Sequence, residues 1–336
     1  MTIKDLAART GYAVGTVSRA LNGHPNVSDK ARRIILKAAK ESGFELNVNA
    51  KQLKQTHSTT ILVIVKGIRN ELFGEMVEII QNLIAQTRYQ LVVDYMDEDL
   101  NEVHRALQLC KEKKPLGILF LGGNNQNFIR DFDKIDIPCV LVTNDASMLP
   151  FDNLSSVTTD DLEAARRAID ALIALGHSRI AIIGGNRAIS DTSRLRYEGC
   201  MRAFAEHGIV FDPERDYQGV RYSCWDGYRA TQALLKKGCQ FTAIFAIADV
   251  MAIGAIRALW ENGLRVPEDV SVMGVDGLPM GDYLVPQLAT ICQPVSQLAK
   301  RSVDILLAGI EDGAGASHET VPFTVLSRES IRSIET

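Results

Sequence analysis

The sequence predicts a mixed fold, in which a small all-α head precedes an α/β body made of two doubly wound lobes with parallel sheets. Three observations predict it. Helix start and stop signals are closely spaced before residue 45, whereas short apolar runs alternate with helical patterns after Thr60. The net charge also changes between these regions, from basic to acidic. A chain of 336 residues is long enough for a head and two lobes.

The first two helices of the head are predicted from the residues at their ends. Thr2 can cap the first helix, Asp5 follows three residues later as in a capping box, and Gly11 can end the helix. A second short helix is predicted over residues 16–21. Two short helices joined by a glycine-containing turn form the helix-turn-helix arrangement, whose second helix lies in the major groove of DNA.

A third helix is predicted between Ser28, a favourable N-cap residue, and Gly43, which can end a helix. Its apolar residues recur at helical spacing and predict one buried face, formed by Ala31, Ile34, Ile35, Ala38 and Ala39. These three helices would pack into a head that ends near residue 46.

The distribution of charge indicates a nucleic-acid partner. Residues 1–58 hold ten basic and four acidic side chains, a net charge of +6, whereas residues 59–336 hold 27 basic and 37 acidic side chains, a net charge of −10. A basic head is typical of proteins that bind nucleic acid. DNA should repel the acidic body, which restricts contact to the head. We therefore expect double-stranded DNA as a partner.

Two successive sets of alternating strands and helices predict the body. The first set has strands at 61–65, 89–94, 117–123 and 138–143, with helices that include 72–88 and 100–113. The second has strands at 179–184, 216–222, 243–247 and 270–274, with helices at 161–175, 194–207, 226–238 and 249–262. Continuous apolar runs between helices are typical of buried parallel strands. Ligands bind outside the carboxyl ends of such strands, so we expect a small-molecule cleft between the lobes.

The stretch between head and body is polar and carries no strong structural signal of its own. The sequence therefore predicts three regions, namely a DNA-binding head at 1–46, a hinge or linker at 47–59, and a body at 60–336 that binds a small-molecule effector.

The string Ile3-Lys-Asp-Leu-Ala, with Gly11, Thr16-Val-Ser-Arg-Ala-Leu-Asn22 and Val27-Ser28 after it, resembles the N-terminus of the lac-repressor/gal-repressor (LacI/GalR) family of bacterial transcription regulators. The resemblance continues in the body, for example at Leu175-Gly-His-Ser-Arg-Ile-Ala181. It implies a periplasmic-binding-protein-like body in which the chain crosses between the lobes three times, here near 158, 290 and 320. The N-lobe would then be about 60–157 and 291–318, and the C-lobe about 160–288 and 320–336.

The resemblance also implies which residues of the head contact DNA. The positions that usually read bases hold Val14 and Gly15, which can make few directional contacts with base edges. The neighbouring polar residues suit phosphate or flanking contacts, and the less favoured alternative for Ser18 and Arg19 is a solvated helix face. Ala13 stands where the family usually has a serine cap. The set expected to contact DNA is Thr2, Val14, Gly15, Thr16, Ser18, Arg19 and Asn22.

The segment Ala50-Lys-Gln-Leu53 matches the hinge helix of the family. The resemblance implies that Ala50 and Leu53 contact the minor groove, where Leu53 would insert as an apolar wedge and bend the duplex. The family usually has a proline just before this helix, and this chain has Leu46. From the residues alone, Leu53 could equally pack against the body.

Six residues are expected at the effector site because they match family positions near strand ends. Phe73 would stack on the ligand, Arg196 would pair with its hydroxyl or carboxylate groups, and Tyr222 would close the pocket. Each could instead be a loop residue or part of an internal salt bridge. Aromatic rings with convergent polar groups favour a sugar or nucleoside-like ligand. The expected set is Phe73, Asp160, Arg196, Tyr222, Asp249 and Asp276.

Other classes of protein fit the sequence less well. The glycine pairs 122–123 and 184–185 follow strands, but neither matches a nucleotide-binding motif, and no hydrolase or metalloprotease signature is present. The six cysteines lack metal-site spacing. An exported solute-binding protein would have no use for the basic head. We therefore expect a cytoplasmic homodimeric repressor that is not an enzyme, has no cofactor, metal or membrane segment, and binds operator DNA and a small molecule.

Overall fold

The computed structural model describes residues 2–21, 26–44 and 58–334. The chain divides into two compact units, Met1–Ser58 and Thr59–Thr336, which correspond to the head with its linker and to the body. Three residues expected to contact DNA, Asn22, Ala50 and Leu53, lie outside the described residues.

The head contains the three expected helices, α1 (Ile3–Thr10), α2 (Val14–Leu21) and α3 (Asp29–Glu41). The capping box of α1 is confirmed, because the Asp5 N–H donates to the Thr2 hydroxyl at 3.3 Å and the Thr2 N–H donates to the Asp5 carboxylate at 2.7 Å. Gly11 ends α1 in the left-handed conformation, with φ of +73°. The Ser28 hydroxyl caps α3 by accepting the Ala31 N–H.

The small hydrophobic core of the head is built from one face of each helix, with Leu6, Val17 and Ile35 fully buried. The predicted buried face of α3 is confirmed except at Ile34, which is 40% exposed. Ile34 is one residue from Ile35, so it is rotated by about 100° on the helix and lies outside the buried stripe. Helix α2 begins two residues earlier than predicted, since the Ala13 carbonyl already accepts helical hydrogen bonds.

Strands and helices alternate along the body, as the sequence predicts. The strands are β1 (Thr60–Lys66), β2 (Gln90–Met96), β3 (Gly117–Leu121), β4 (Cys139–Val142), β5 (Leu154–Thr158), β6 (Ile180–Gly184), β7 (Tyr217–Gly219), β8 (Ala243–Ala246), β9 (Ser271–Asp276), β10 (Ala289–Cys292), β11 (His318–Thr320) and β12 (Thr324–Leu326). The helices are α4 (Glu71–Ile84), α5 (Glu102–Lys113), α6 (Asn125–Asp131), α7 (Asp161–Ala174), α8 (Asp191–Glu206), α9 (Pro213–Asp216), α10 (Cys224–Lys236), α11 (Asp249–Glu261) and α12 (Val295–Asp312).

The strands form two six-stranded sheets, one in each lobe. The N-lobe sheet has the order β11-β5-β4-β3-β1-β2 and is parallel throughout. The C-lobe sheet has the order β12-β10-β9-β8-β6-β7, and its edge strand β12 runs antiparallel to β10. Every residue of β3, β4, β6 and β8 is buried, which explains why these strands read as continuous apolar runs.

The chain passes between the lobes after β5, β10 and β11. The second crossing lies at residues 293–294, a few residues later than the expected position near 290, because Ile291 and Cys292 still pair with β9. Helix α12 then packs against the N-lobe strands β3, β4 and β5. The second N-lobe segment therefore begins at α12 rather than at residue 291, and it continues through β11 to Thr320.

Candidate functional site

A cavity of about 590 Å³ lies between the lobes, where strands of both sheets end. Its N-lobe wall includes Lys66 at the end of β1 and Gly122 after β3, and its C-lobe wall includes Gly185 after β6 and Asp276 at the end of β9. This is the position that the strand-end rule predicts for doubly wound sheets. The volume is in the range that small-molecule ligands occupy.

Four of the six residues expected at the effector site line this cavity, namely Phe73, Arg196, Tyr222 and Asp276. The other two do not. Asp160 is exposed, and its carboxylate caps α7 by accepting the Glu163 N–H at 2.9 Å. Asp249 is fully buried beneath the cavity wall, where its carboxylate accepts hydrogen bonds from the Thr290 hydroxyl at 2.7 Å and the Leu278 N–H at 2.8 Å. Both carboxylates are therefore held by the protein itself.

The glycine pairs after β3 and β6 make room for aromatic side chains. A Cβ atom at Gly122, which has φ of +78°, would lie 3.0 Å from the Phe73 ring. A Cβ atom at Gly184 would overlap the Tyr217 hydroxyl, and one at Gly185 would overlap the Ser193 hydroxyl. These glycines are thus explained by close packing around the cavity, which agrees with their poor match to phosphate-binding loops.

A buried charge cluster forms the floor of the cavity. The Arg196 side chain, only 3% exposed, donates from Nε to the Asp161 carboxylate at 2.7 Å and from its terminal nitrogen to the Ile247 carbonyl. The same guanidinium lies 3.7 Å from the nearer carboxylate oxygen of Asp276. Burial raises the pKa of both Asp161 and Asp276, whereas the Arg196 charge lowers it.

Asp276 combines two features that are typical of ligand sites. Its Oδ1 accepts a hydrogen bond from the Gln293 amide at 2.8 Å, but its Oδ2 is buried and has no partner among the described residues. A buried carboxylate oxygen without a donor is costly, so a ligand hydroxyl that donated to it would be stabilised. Asp276 also has φ of +126°, a strained conformation for a residue other than glycine, and such strain clusters at functional sites.

Polar contacts join the lobes around the cavity. Arg221 of the C-lobe pairs with Asp97 at 2.5 Å and with Glu98 at 3.0 Å, both in the N-lobe loop after β2. The Arg221 guanidinium lowers the pKa of Asp97, whereas burial raises the pKa of Glu98. At a second position, the N–H of Asn125 at the start of α6 donates to the Asp191 carboxylate at 2.7 Å. The described conformation is therefore one in which the lobes are bridged.

Several cavity residues were missed by the sequence reasoning. Lys66 ends β1 and pairs at 2.5 Å with Glu102, a fully buried residue that also accepts the Asn124 N–H. Gln293 holds Asp276 in place. The available signal was the change from apolar to polar residues directly after a buried strand, which also marks Thr143 and Asn144 at this cavity. Arg187 and Arg221 line the cavity from loops that carry no such signal.

Helix α2 presents a mixed face to solvent. Val14 is 41% exposed, and Gly15 has open space where a side chain would be. The Arg19 side chain is exposed and donates to the Gly15 carbonyl at 3.2 Å, while Thr16 and Ser18 are half-buried. The Thr2 hydroxyl is engaged in the capping box. The predicted DNA-facing surface of α2 is thus exposed but offers few groups for base-specific hydrogen bonds.

Comparisons with known proteins identify the family. Residues 2–47 match the model of bacterial regulatory proteins of the lacI family, and residues 169–331 match a periplasmic binding protein-like domain. Over 99% of its length the chain is 35% identical to the HTH-type transcriptional regulator MalR of Clostridium butyricum, all of which is covered. The chain belongs to the lacI family. The resemblance stated from the sequence is therefore confirmed, and lacI-family proteins are transcription regulators whose DNA binding responds to an effector.

Other relatives agree in fold and length. The chain is 30% identical to the ribose operon repressor of Haemophilus influenzae, with 99% of each covered. The crystal structure of the lac repressor dimer bound to operator and an anti-inducer superposes with a TM-score of 0.76 at 27% identity, again with 99% of each chain covered. These lacI-family relatives are transcription regulators, and the predicted fold class is confirmed. No helix in the described ranges is both long and apolar enough to cross a membrane.

Proposed function

We propose that this lacI-family protein is a homodimeric repressor of the bacterial cytoplasm, which binds near-palindromic operator DNA through its head and a sugar-like effector in the interlobe cavity. The observation that carries the proposal is the buried Oδ2 of Asp276, which has no hydrogen-bond partner among the described residues and belongs to a cavity residue beside Arg196. A ligand hydroxyl that donated to this oxygen would satisfy the carboxylate.

The lining of the cavity supports a ligand with both a flat apolar face and several hydroxyl groups. Phe73 and Tyr222 supply aromatic surface, and Asp276, Arg196 and Gln293 supply hydrogen-bonding groups. Sugars bind in this way because their C–H faces pack on rings while their hydroxyl groups are fixed by charged side chains. One relative, the ribose operon repressor, is itself named for a sugar operon.

An exposed aromatic patch on the C-lobe supports the dimer. This patch consists of Trp225 and Tyr228 on α10 and Arg257 and Trp260 on α11, which pack side by side. Trp225 is 60% exposed and stacks on Tyr228, and Trp260 is 67% exposed beneath the Arg257 guanidinium. Exposed clusters of tryptophan, tyrosine and arginine are typical of protein interfaces. Two heads are also needed to cover a palindromic operator.

Coupling between ligand and operator would operate through the spacing of the lobes. Three crossing segments would allow the lobes to move as a hinge, and contacts of Arg221 and Asp191 bridge them in the described arrangement. A ligand that contacts both walls favours that arrangement, and so biases how the two linkers of a dimer present Leu53 to the operator.

Selection from a random duplex library with the full chain tests the proposal. We expect a near-palindrome to be enriched, and a thermal-shift panel of sugars and nucleosides to identify a ligand that changes binding to it. Asp276→Asn should abolish the ligand response while the free variant still binds the selected DNA. Asp160→Asn, which alters an exposed carboxylate outside the cavity and keeps a good helix cap, should behave as wild type. Enrichment of no palindrome, or equal loss of response in both variants, would refute the proposal.

A further inference from the structure

From the position and surroundings of Arg187 we infer that the effector carries an oxyanion, a carboxylate or a phosphate, and that Arg187 binds it at the exposed edge of the C-lobe wall. This inference rests on the proposed function and names the chemical class of its ligand. Arg187 lies in the loop between β6 and α8, and it lines the same cavity as Arg196 and Asp276.

Two tyrosine rings hold the Arg187 guanidinium in place. Its central carbon lies 4.0 Å from the ring centroid of Tyr197 and 4.9 Å from that of Tyr217. The two rings meet edge to face at 87°, and the Tyr217 hydroxyl donates to the Gly185 carbonyl at 2.6 Å, which fixes the corner they form. A planar guanidinium can lie face to face with only one of two perpendicular rings, and the N–H groups that point away from both rings stay available to an acceptor.

Arg187 is also the cavity cation that pairs with no carboxylate of the described residues. Among the described residues, each of the other three cations that line the cavity pairs with a carboxylate: Lys66 with Glu102, Arg196 with Asp161, and Arg221 with Asp97. The three carboxylates of the lining are in turn close to a cation, namely Glu98 and Asp99 to Arg221, and Asp276 to Arg196. The three paired cations share six carboxylates, so the region as a whole has no surplus of positive charge. No carboxylate of the described residues pairs with Arg187, so its guanidinium is the cation of the lining that a ligand can engage.

The surroundings of Arg187 favour an anion over a neutral ligand. A guanidinium edge presents two parallel N–H donors that match two oxygens of a carboxylate or phosphate. The first turn of the 16-residue helix α8 also faces the cavity through Ser190 and Thr192, and the partial positive charge of a helix N-terminus attracts anions. A neutral sugar would use the Asp276 side of the cavity but would leave Arg187 with water alone.

Binding measurements on the full chain with matched ligands test this inference. Glucose, glucuronate and glucose 6-phosphate form one set, ribose and ribose 5-phosphate a second, and inorganic phosphate is the minimal probe, all at constant ionic strength. We expect at least one acidic sugar to bind about tenfold or more tightly than its neutral counterpart, as a charge-assisted hydrogen bond at a partly exposed site allows. Preferred binding of glucuronate would identify the oxyanion as a carboxylate, and preferred binding of a sugar phosphate would identify it as a phosphate.

Variants of Arg187 assign the effect to this side chain. Arg187→Gln should remove most of the preference for the acidic member, while Arg187→Lys should keep part of it because the charge remains without the fork. Arg88→Gln is the matched control, since Arg88 also lies over a tyrosine ring, that of Tyr89 at 5.2 Å, but does not line the cavity. The melting temperature of each unliganded variant shows whether it is folded.

Three outcomes would overturn the inference: a neutral sugar that binds as tightly as its acidic counterpart, an acidic preference that persists in Arg187→Gln, or no detectable binding of any acidic sugar or of phosphate. The first two leave the proposed function intact, since a ligand would still occupy the cavity. Failure of the DNA selection, by contrast, would refute the proposed function whatever the ligand panel shows.

Discussion

The exposed face of α2 and the interlobe cavity differ sharply in the chemistry that they offer to a partner. Helix α2 has Val14 and Gly15 at the positions that we expect to face the bases, and both are exposed. The cavity holds the Arg196 guanidinium at a fixed position, together with an Asp276 oxygen that has no partner among the described residues. Directional groups select a ligand by its pattern of donors and acceptors. From this comparison we expect ligand selection to depend on direct hydrogen bonds, and operator affinity to depend more on phosphate contacts and on the shape of the duplex.

Removal of the head should have the largest effect, a complete loss of operator binding. The body has a net charge of −10 and should be repelled by DNA, while its cavity is formed entirely by residues after Thr59. We expect a chain that begins at residue 59 to bind the effector as the full chain does. In the full chain, the logarithm of operator affinity should fall steeply with the logarithm of salt concentration. Fluorescence anisotropy of a labelled operator measures binding by the truncated chain and the salt dependence in the full chain. Operator binding by the truncated chain would contradict the assignment of DNA binding to the head.

Arg196→Ala should weaken effector binding by roughly 2–5 kcal/mol, the range for loss of one partner of a buried, hydrogen-bonded charge pair. The variant leaves Asp161 and Asp276 buried without their cation, so its free energy of unfolding should also fall. Calorimetry below the melting temperature of the variant measures the affinity. Arg194→Ala is the control, because Arg194 lies two residues earlier on α8 and is exposed. An unchanged dissociation constant in Arg196→Ala would remove Arg196 from the site.

Gly15→Gln should sharpen the comparison by giving α2 a base-reading side chain. Open space surrounds this position, where a Cβ atom would meet only the Arg19 side chain at 4.0 Å. A glutamine that binds adenine bidentately is worth about 1–3 kcal/mol of discrimination, so one base pair in each half-site should change to a defined preference. Gly15→Ala is the control, because it also raises the helix propensity of α2 but adds no side chain that can bind a base. Selected sequences that are identical for both variants would show that residue 15 does not face a base.

Ala13→Ser should have the smallest effect, a gain of about 1 kcal/mol in the stability of α2. The Ala13 carbonyl accepts the N–H groups of Thr16 and Val17, which places Ala13 at the N-cap position, where it has no side-chain acceptor. A serine hydroxyl would supply one. Thermal unfolding of the isolated head, or hydrogen exchange in α2 of the full chain, measures the gain. A serine variant with unchanged exchange in α2 would show that the helix start is already satisfied.

Local signals predicted much of the fold, and they failed where structure depends on distant partners. The caps at Thr2 and Ser28 were predictable because each bond spans three residues. Strand β5 was missed because it reads Leu-Ser-Ser-Val-Thr, and its serines are buried only because Ser155 bonds to Ser317 and Ser156 to His318. The three-residue strands β11 and β12 are likewise defined by their neighbours.

The candidate site shows the same division between local and distant information. Three aspartates matched family positions, yet Asp276 alone lines the cavity, since Asp160 caps a helix and Asp249 is enclosed by Thr290 and the Leu278 backbone. A carboxylate at a strand end is visible in the sequence, but its direction is set by the backbone turn. Arg187 was missed because its role depends on two rings that are 10 and 30 residues further along the chain.

The central claim is that the cavity and the head are energetically coupled, and one measurement tests it most directly. Affinity of the identified effector for the full chain should be measured by calorimetry, first without DNA and then with saturating operator. Thermodynamic linkage requires the two values to differ by the same factor by which the effector changes operator affinity, and a factor of about 5–150 is usual for such coupling. Equal affinities with and without operator, for every ligand that binds the cavity, would contradict the account.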